Sequence, residues 1–301
     1  MRAAALAHDP TLLLPLTSAF ETARLCAVSA LLLLASCTPT APLAPRDSGV
    51  DASDAHVDVC EALFGAPNAN TGLDDAQCRP VCGCGADAFV PRAWDATSLA
   101  ALRATTQLDA PAELVADPYL DPAPPPPPEG TVCAALFSAT TPRAYTVATF
   151  ASTADATAAG ALVTHAGECG VCSSLTDLAV YAGTPDLTAP VRQCGLDQLG
   201  DFPGLVTCLE GLGFTRPCAQ VWAYNTEHTR AACGAVCLRL LRAPYHLPDG
   251  ALNACLLCDE TESGPVFKAV AGRTRRNSGL ANAMCRPCAE VIRLTHAYPG
   301  S

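Results

Sequence analysis

This 301-residue sequence predicts an α+β fold: a disulfide-rich, mostly helical domain with a small sheet, plus a small N-terminal cysteine-rich module. Three observations carry that expectation. The chain holds 18 cysteines. Several segments set apolar residues at helical spacing behind good capping residues, most clearly residues 174–181 and 215–241. Residues 145–150 and 291–298 alternate as strands do, and as first and last elements of one region they would pair.

Residues 1–36 read as an export signal. Residues 1–23 are polar and mixed, an extended n-region or an over-called start, and after Arg24 comes the short apolar run LCAVSALLLLASC. That run is too short for a stable bilayer-spanning helix. It ends in Leu34-Ala35-Ser36-Cys37, which resembles the lipobox of bacterial lipoproteins. The resemblance implies cleavage before Cys37 and lipid on its sulfur and amine, so that the membrane is a partner. Thr38 in the following position implies the outer membrane, with the cell surface or periplasm around it, rather than inner-membrane retention. An uncleaved anchor or an ordinary signal peptide is the alternative.

With Cys26 removed and Cys37 lipidated, sixteen cysteines remain, an even set that reads as a disulfide framework in an oxidising compartment. Aromatic residues make up only 5%, so cross-links would supplement a core poor in large side chains. A net charge of −11 argues against nucleic acid as a partner.

Residues 37–58, small, polar and proline-containing, form a tether. Residues 59–120 are the small module, with Cys60, Cys78, Cys82 and Cys84 and a short helix over 97–108. Zinc is an alternative there, but no His is interleaved and two disulfides fit better. Residues 121–130 are a proline-rich spacer of polyproline II type. Four mature cysteines precede it and twelve follow, so no disulfide is expected to cross it.

Residues 131–301 are the stapled α+β domain. A strand over 145–150 leads to an alanine-rich helix over 153–163. Pro185 and Pro190 interrupt the chain before Cys194, and a helix over 201–212 carries Cys208. The longest helix, 215–241, has an inner stripe of Cys218, Val221, Trp222, Thr229, Cys233 and Val236. Cys233 and Cys237 lie one turn apart, suiting two separate bridges. The pairs 255/258 and 285/288 resemble a zinc ribbon, but their gap is long and lacks His, so disulfides are expected. Cys208 and Cys218 flank a helix turn much as in saposin-like bundles, from which the other spacings depart.

One stretch concentrates chemistry: THAGECGVCSSLTDLAVY, residues 164–181. Ser174 with Asp177 forms a capping box, which puts Cys172 just before a helix N-terminus where a thiolate is favoured. Two readings stay open. In one, Cys169 and Cys172 are structural half-cystines and His165 lies at the surface. In the other, Cys172 serves an exported thiol enzyme, either a cysteine hydrolase using His165 or His296, or a thiol–disulfide oxidoreductase using the Cys169/Cys172 pair. GECGVCSS resembles the nucleophile motif of papain-like peptidases, which implies a histidine where His296 stands. Ala166 occupies the oxyanion-glutamine position, Ser173 replaces the following aromatic, and no later asparagine follows His296.

Arg273, Arg275 and Arg276 beside Asn277 form a basic segment in an acidic chain. Guanidinium forks suit carboxylates or phosphates, so this segment is the expected ligand face, for an anionic small molecule, a glycan or a wall component. The alternative is an internal ion-pair patch with Asp259, Glu260 and Glu262.

Across residues 144–298, the segments HAGECGVCSSLTDLAVY, DLTAPVR, CAQVWAYNTEHTR and GPVFKAVAGRTRRNSGL resemble a family of secreted cysteine-rich proteins of unknown function from unicellular algae and bacteria. The resemblance implies an extracytoplasmic disulfide domain and no particular chemistry. The sequence thus points to a lipid-anchored binding or structural protein, with binding favoured over catalysis and no cofactor or metal expected.

Overall fold

The computed structural model describes residues 62–84 and 87–299. The lipobox-like segment, the tether and Cys60 lie outside them. The first elements are short strands: β1 (Leu63–Phe64), β2 (Cys78–Arg79), β3 (Cys82–Cys84) and β4 (Asp87–Phe89). Helix α1 (Ala96–Arg103) follows, its N-terminus capped by the Asp95 carboxylate, which accepts from the Ser98 amide at 2.7 Å. It stops short of the expected 108 because Thr106–Gln107 is drawn into a strand, β5. The proline run after it is exposed and has neither helix nor strand.

Strands β6 (Val132–Phe137) and β7 (Ala144–Phe150) form an antiparallel pair, and after α2 (Thr153–Ala158) comes β8 (Leu162–Ala166). The alanine-rich helix is therefore shorter than its composition suggests. Gly160, at φ +72°, turns the chain, and Leu162 to Ala166 pair with β6 instead. The sheet order is β5-β7-β6-β8.

The remainder is helical: α3 (Leu175–Gly183), α4 (Thr188–Asp197), α5 (Phe202–Gly211), α6 (Arg216–Arg239), α7 (Ala254–Glu262) and α8 (Gly264–Ala271). Pro190 does not break the chain as expected. It falls in the first turn of α4, where a backbone N–H has no helical acceptor to lose. A two-residue strand, β9 (Arg286–Pro287), closes a second sheet in the order β2-β1-β9.

The tail 291–298 forms no strand and does not pair with β7, which β6 flanks on one edge and the two-residue β5 on the other at Ala144–Tyr145. It runs instead along the 276–278 turn, where the Ile292 amide donates to the Arg276 carbonyl at 2.9 Å.

The main core joins α3, α5 and α6. Leu175, Leu178, Leu205, Leu209 and Val221 are fully buried, each such side chain contributing on the order of 1.5–3 kcal/mol. Asp177 links two of these helices. Its amide donates to Ser174 Oγ at 2.9 Å and its carboxylate accepts from Ser174 Oγ at 2.6 Å, the capping box read from the sequence. The same carboxylate accepts from the amide and hydroxyl of Thr215, both at 2.8 Å, at the start of α6.

Seven disulfides lie among the described residues. Cys233–Cys258 and Cys237–Cys255 tie α6 to α7 as two separate bridges, and Cys194–Cys208 ties α4 to α5. The expectation that none crosses the proline run is overturned by Cys78–Cys285 and Cys82–Cys288, which span 207 and 206 residues. Pairing of β1 with both β2 and β9 brings residues 63–79 and 286–287 together, and spatial approach selects the thiols.

Candidate functional site

The cysteine–histidine stretch is built into the interior. Cys169 bonds to Cys133 of β6, and Cys172 bonds to Cys218 in the first turn of α6. Cys172 therefore has no thiolate to offer, and Cys169 and Cys172 are not each other's redox partner. The shared Asp177 cap explains the choice, since it places the start of α6 against the start of α3.

His165 is not at the surface: it is wholly buried. Its Nδ1–H donates to the Ala166 carbonyl at 2.9 Å, and Nε2 accepts from Ser173 Oγ at 2.8 Å. Burial, then the Arg273 charge, push its pKa down to about 3, so the ring is neutral. The Ser173–His165 contact has the spacing of a nucleophile and its base. Ser173 is 1% exposed, however, and Nδ1 faces a carbonyl rather than an orienting carboxylate. His296 is also buried, donating from Nε2 to the Ser278 carbonyl at 2.8 Å and accepting at Nδ1 from Tyr298 Oη at 2.8 Å. Burial lowers its pKa to about 4.

The basic segment is mostly turned inward rather than forming an open face. Arg273, fully buried, donates from Nε to the Cys172 carbonyl at 3.0 Å, from Nη1 to that of Thr164 at 3.0 Å and from Nη2 to that of Ser173 at 3.1 Å. Arg275 caps the C-terminal end of α3, donating to the carbonyls of Tyr181, at 2.5 Å, and Thr184. Burial lowers its pKa to about 10, which leaves it cationic at neutral pH. Asn277 holds the turn, donating to the carbonyls of Ala166 at 2.8 Å and Gly272 at 2.7 Å. Arg276 alone reaches acidic side chains, Glu260 at 2.6 Å and Glu290 at 2.8 Å.

Arg275 and Arg276 lead to the feature that can hold a ligand, a cleft of about 680 Å³ bordered by α4, α6, α7 and α8. Leu196, Leu199 and Leu238 line it while staying 46%, 67% and 66% exposed, which sets them at its mouth. Deeper lies Glu260, whose Oε1 accepts from Arg286 at 2.5 Å and whose Oε2 accepts from Arg276 at 2.6 Å and Lys268 at 3.3 Å. Burial pushes this carboxyl up, but Arg286, Arg276 and Lys268 together outweigh it and hold it below the usual range. Burial acts against the Arg286 charge, and Glu260 acts to retain it. Next to Glu260, burial raises the pKa of Asp259, which accepts from Thr229 and from Asn225.

Six basic side chains line the cleft (Arg192, Arg230, Lys268, Arg275, Arg276 and Arg286) against two acidic ones, Asp259 and Glu260. The chain as a whole has the opposite balance, 18 Lys and Arg against 29 Asp and Glu.

The fold and the cleft together define a disulfide-stapled α+β protein with a cation-lined cleft. Residues 203–294 match a family described as a family of unknown function (DUF8771), a stretch that includes Glu260, Lys268, Arg276 and Arg286. No curated protein and no solved structure matches the chain. Among the described residues no helix is long and apolar enough to cross a membrane, and no group of three or more His, Cys, Asp or Glu side chains is placed to hold a metal ion.

The ion-pair patch that the sequence offers as the alternative is realised for Arg276 and Glu260, while the further partners Glu290 and Arg286 are not indicated there. Arg286 stands inside a Cys-x-x-Cys pair, a pattern that signals only its cysteines, while Leu196 and Leu199 follow no periodic pattern that marks a site.

Proposed function

We propose that the protein is a lipid-anchored extracytoplasmic binding protein that takes an anionic ligand into the cleft between α4, α6, α7 and α8. The observation that carries this reading is the reversal of charge there, six cations against two carboxylates in a chain of net charge −11. Glu227 and Glu290 engage Arg230 and Arg276 from outside the lining, and the surplus stays positive. Asp259, with its raised pKa, opposes an anion less than an ordinary carboxylate would. Guanidinium groups already aimed at one carboxylate are suited to receiving another, from a small molecule, a glycan or a wall component.

The location rests on separate grounds. Seven disulfides suit an oxidising compartment. Leu34-Ala35-Ser36-Cys37 supplies the lipid attachment, and residues 38–58 the reach from the outer membrane. The likeness to secreted cysteine-rich proteins of algae and bacteria agrees with such a setting.

Two measurements test the reading. Anilinonaphthalene sulfonate, an anion that fluoresces in apolar sites, is titrated into the oxidised mature protein. Lys268→Glu is expected to weaken binding about tenfold, or ~1.4 kcal/mol, with added salt weakening it further. Equal affinity of the variant and the wild type at every ionic strength overturns the anion site. Mass spectrometry of membrane fractions is expected to find acylated Cys37; an unacylated precursor confined to the cytoplasm overturns the anchor.

A further inference from the structure

Resting on that reading, we infer that the ligand is a single-chain amphipathic acid. Its acidic head sits among Lys268, Arg276 and Arg286, and its hydrocarbon chain runs out along Leu196, Leu199 and Leu238. Isolated exposed leucines are common and need no explanation. Here three of them, from the end of α4, the turn after it and α6, border the same opening. Below them Leu187, Val191 and Leu241 continue the apolar wall inward.

The charged end lies deeper at Glu260 and Arg276, each 23% exposed, and Arg286, 10% exposed, with Lys268 at its outer edge, 42% exposed. A head group entering there meets donors already oriented by Glu260. Lys268 touches Glu260 through one ammonium contact at 3.3 Å, and an ammonium carries three donors. A cavity of about 680 Å³ falls within the roughly 300–1,000 Å³ of small-molecule sites. Cys233–Cys258 and Cys237–Cys255 fasten α6 to α7, so the wall they form is set before the ligand arrives and little ordering is left for binding.

The experiment compares probes on the oxidised, delipidated mature protein by calorimetry. Palmitate and a lysophosphatidic acid carry chain and charge, with carboxylate and phosphate heads respectively. Hexadecanol carries the chain alone, and acetate and inorganic phosphate carry the charge alone. Palmitate or the lysophosphatidic acid is expected to bind at least about tenfold more tightly than hexadecanol, and acetate and phosphate more weakly still. The preferred head group separates a free fatty acid from a lipid phosphate. Leu199→Ser and Leu238→Ser, on exposed positions that the fold does not need, are expected to weaken the chain-bearing acids alone. Acetate or phosphate binding as tightly as palmitate removes the chain site and leaves the anion site standing. Hexadecanol binding as tightly as palmitate leaves a chain site without a charged head and overturns this inference. Absence of binding by either chain-bearing acid, with anilinonaphthalene sulfonate still bound, overturns this inference alone.

Discussion

The carbonyl of Cys172, a half-cystine before α3, accepts a 3.0 Å hydrogen bond from Nε of the fully buried Arg273, 101 residues later. The same guanidinium serves the carbonyls of Thr164 and Ser173. The charge that marked a ligand face in the sequence therefore fastens β8, the α3 entry and the 273–278 turn to one another.

Arg273→Met is expected to destabilise the oxidised protein by about 3 kcal/mol or more, because it leaves three buried carbonyls without their charged donor. Urea denaturation of the purified variant measures this. A loss under about 0.5 kcal/mol, the range of ordinary surface substitutions, would show that the clamp carries no weight.

Buried His165 and His296 make stability fall as the solution is acidified. His165 and His296 have folded-state pKa values of about 3 and about 4, both below the ordinary 6.5. The unfolded chain thus binds protons first as pH drops. Their contribution is complete above about pH 6.5 and is lost as pH falls toward those lower values, by at most about 1.4 kcal/mol per pH unit for each ring. His296→Gln is expected to make the stability–pH curve shallower between pH 6.5 and 4. Glu260, whose pKa is depressed from 4.5, adds a loss confined to more acidic solution, which Glu260→Gln removes. Parallel curves for wild type and His296→Gln would contradict the assignment.

Peptide mapping without reduction is expected to recover Cys78 joined to Cys285 and Cys172 joined to Cys218. A Cys169–Cys172 peptide would restore the redox reading. Replacing the Cys194–Cys208 pair, 14 residues apart, with alanines is expected to remove about 3 kcal/mol through the entropy returned to the unfolded chain.

Two glycines are expected to respond with opposite signs. A Cβ on Gly170 would lie 2.4 Å from the Val270 carbonyl oxygen and 2.6 Å from the Gly272 nitrogen. Gly170→Ala therefore separates two backbones that bond through Val171 to Val270 and Cys172 to Ala271, at a cost of about 1–3 kcal/mol. Gly234, inside α6, has open space at that position, and Gly234→Ala is expected to stabilise by roughly 0.5–1 kcal/mol. Thermal melts of the two variants distinguish these outcomes; shifts in the same direction would refute the pairing.

Features governed by near neighbours were legible in the sequence. The Ser174–Asp177 box, the long helix begun at Thr215 and the two bridges from Cys233 and Cys237 are all found. Features governed by distant partners were not. Alanine content predicts a helix over 153–163 that is too long, because it reports helix propensity and is blind to the β6 edge that claims Leu162 to Ala166. Alternation over 291–298 predicts a closing strand, yet the distant 276–278 turn claims that segment through the Ile292 amide and the Arg276 carbonyl.

By itself, then, the sequence determined the α+β class, the ends of its best-capped helices and the dense cross-linking, because caps, helical spacing and cysteine number are local or compositional properties. Tertiary structure decided which thiols met, which arginines were buried and where six cations gathered around one opening. Those outcomes turn on the approach of segments up to 207 residues apart, and a side chain's partner is whatever that approach brings within reach.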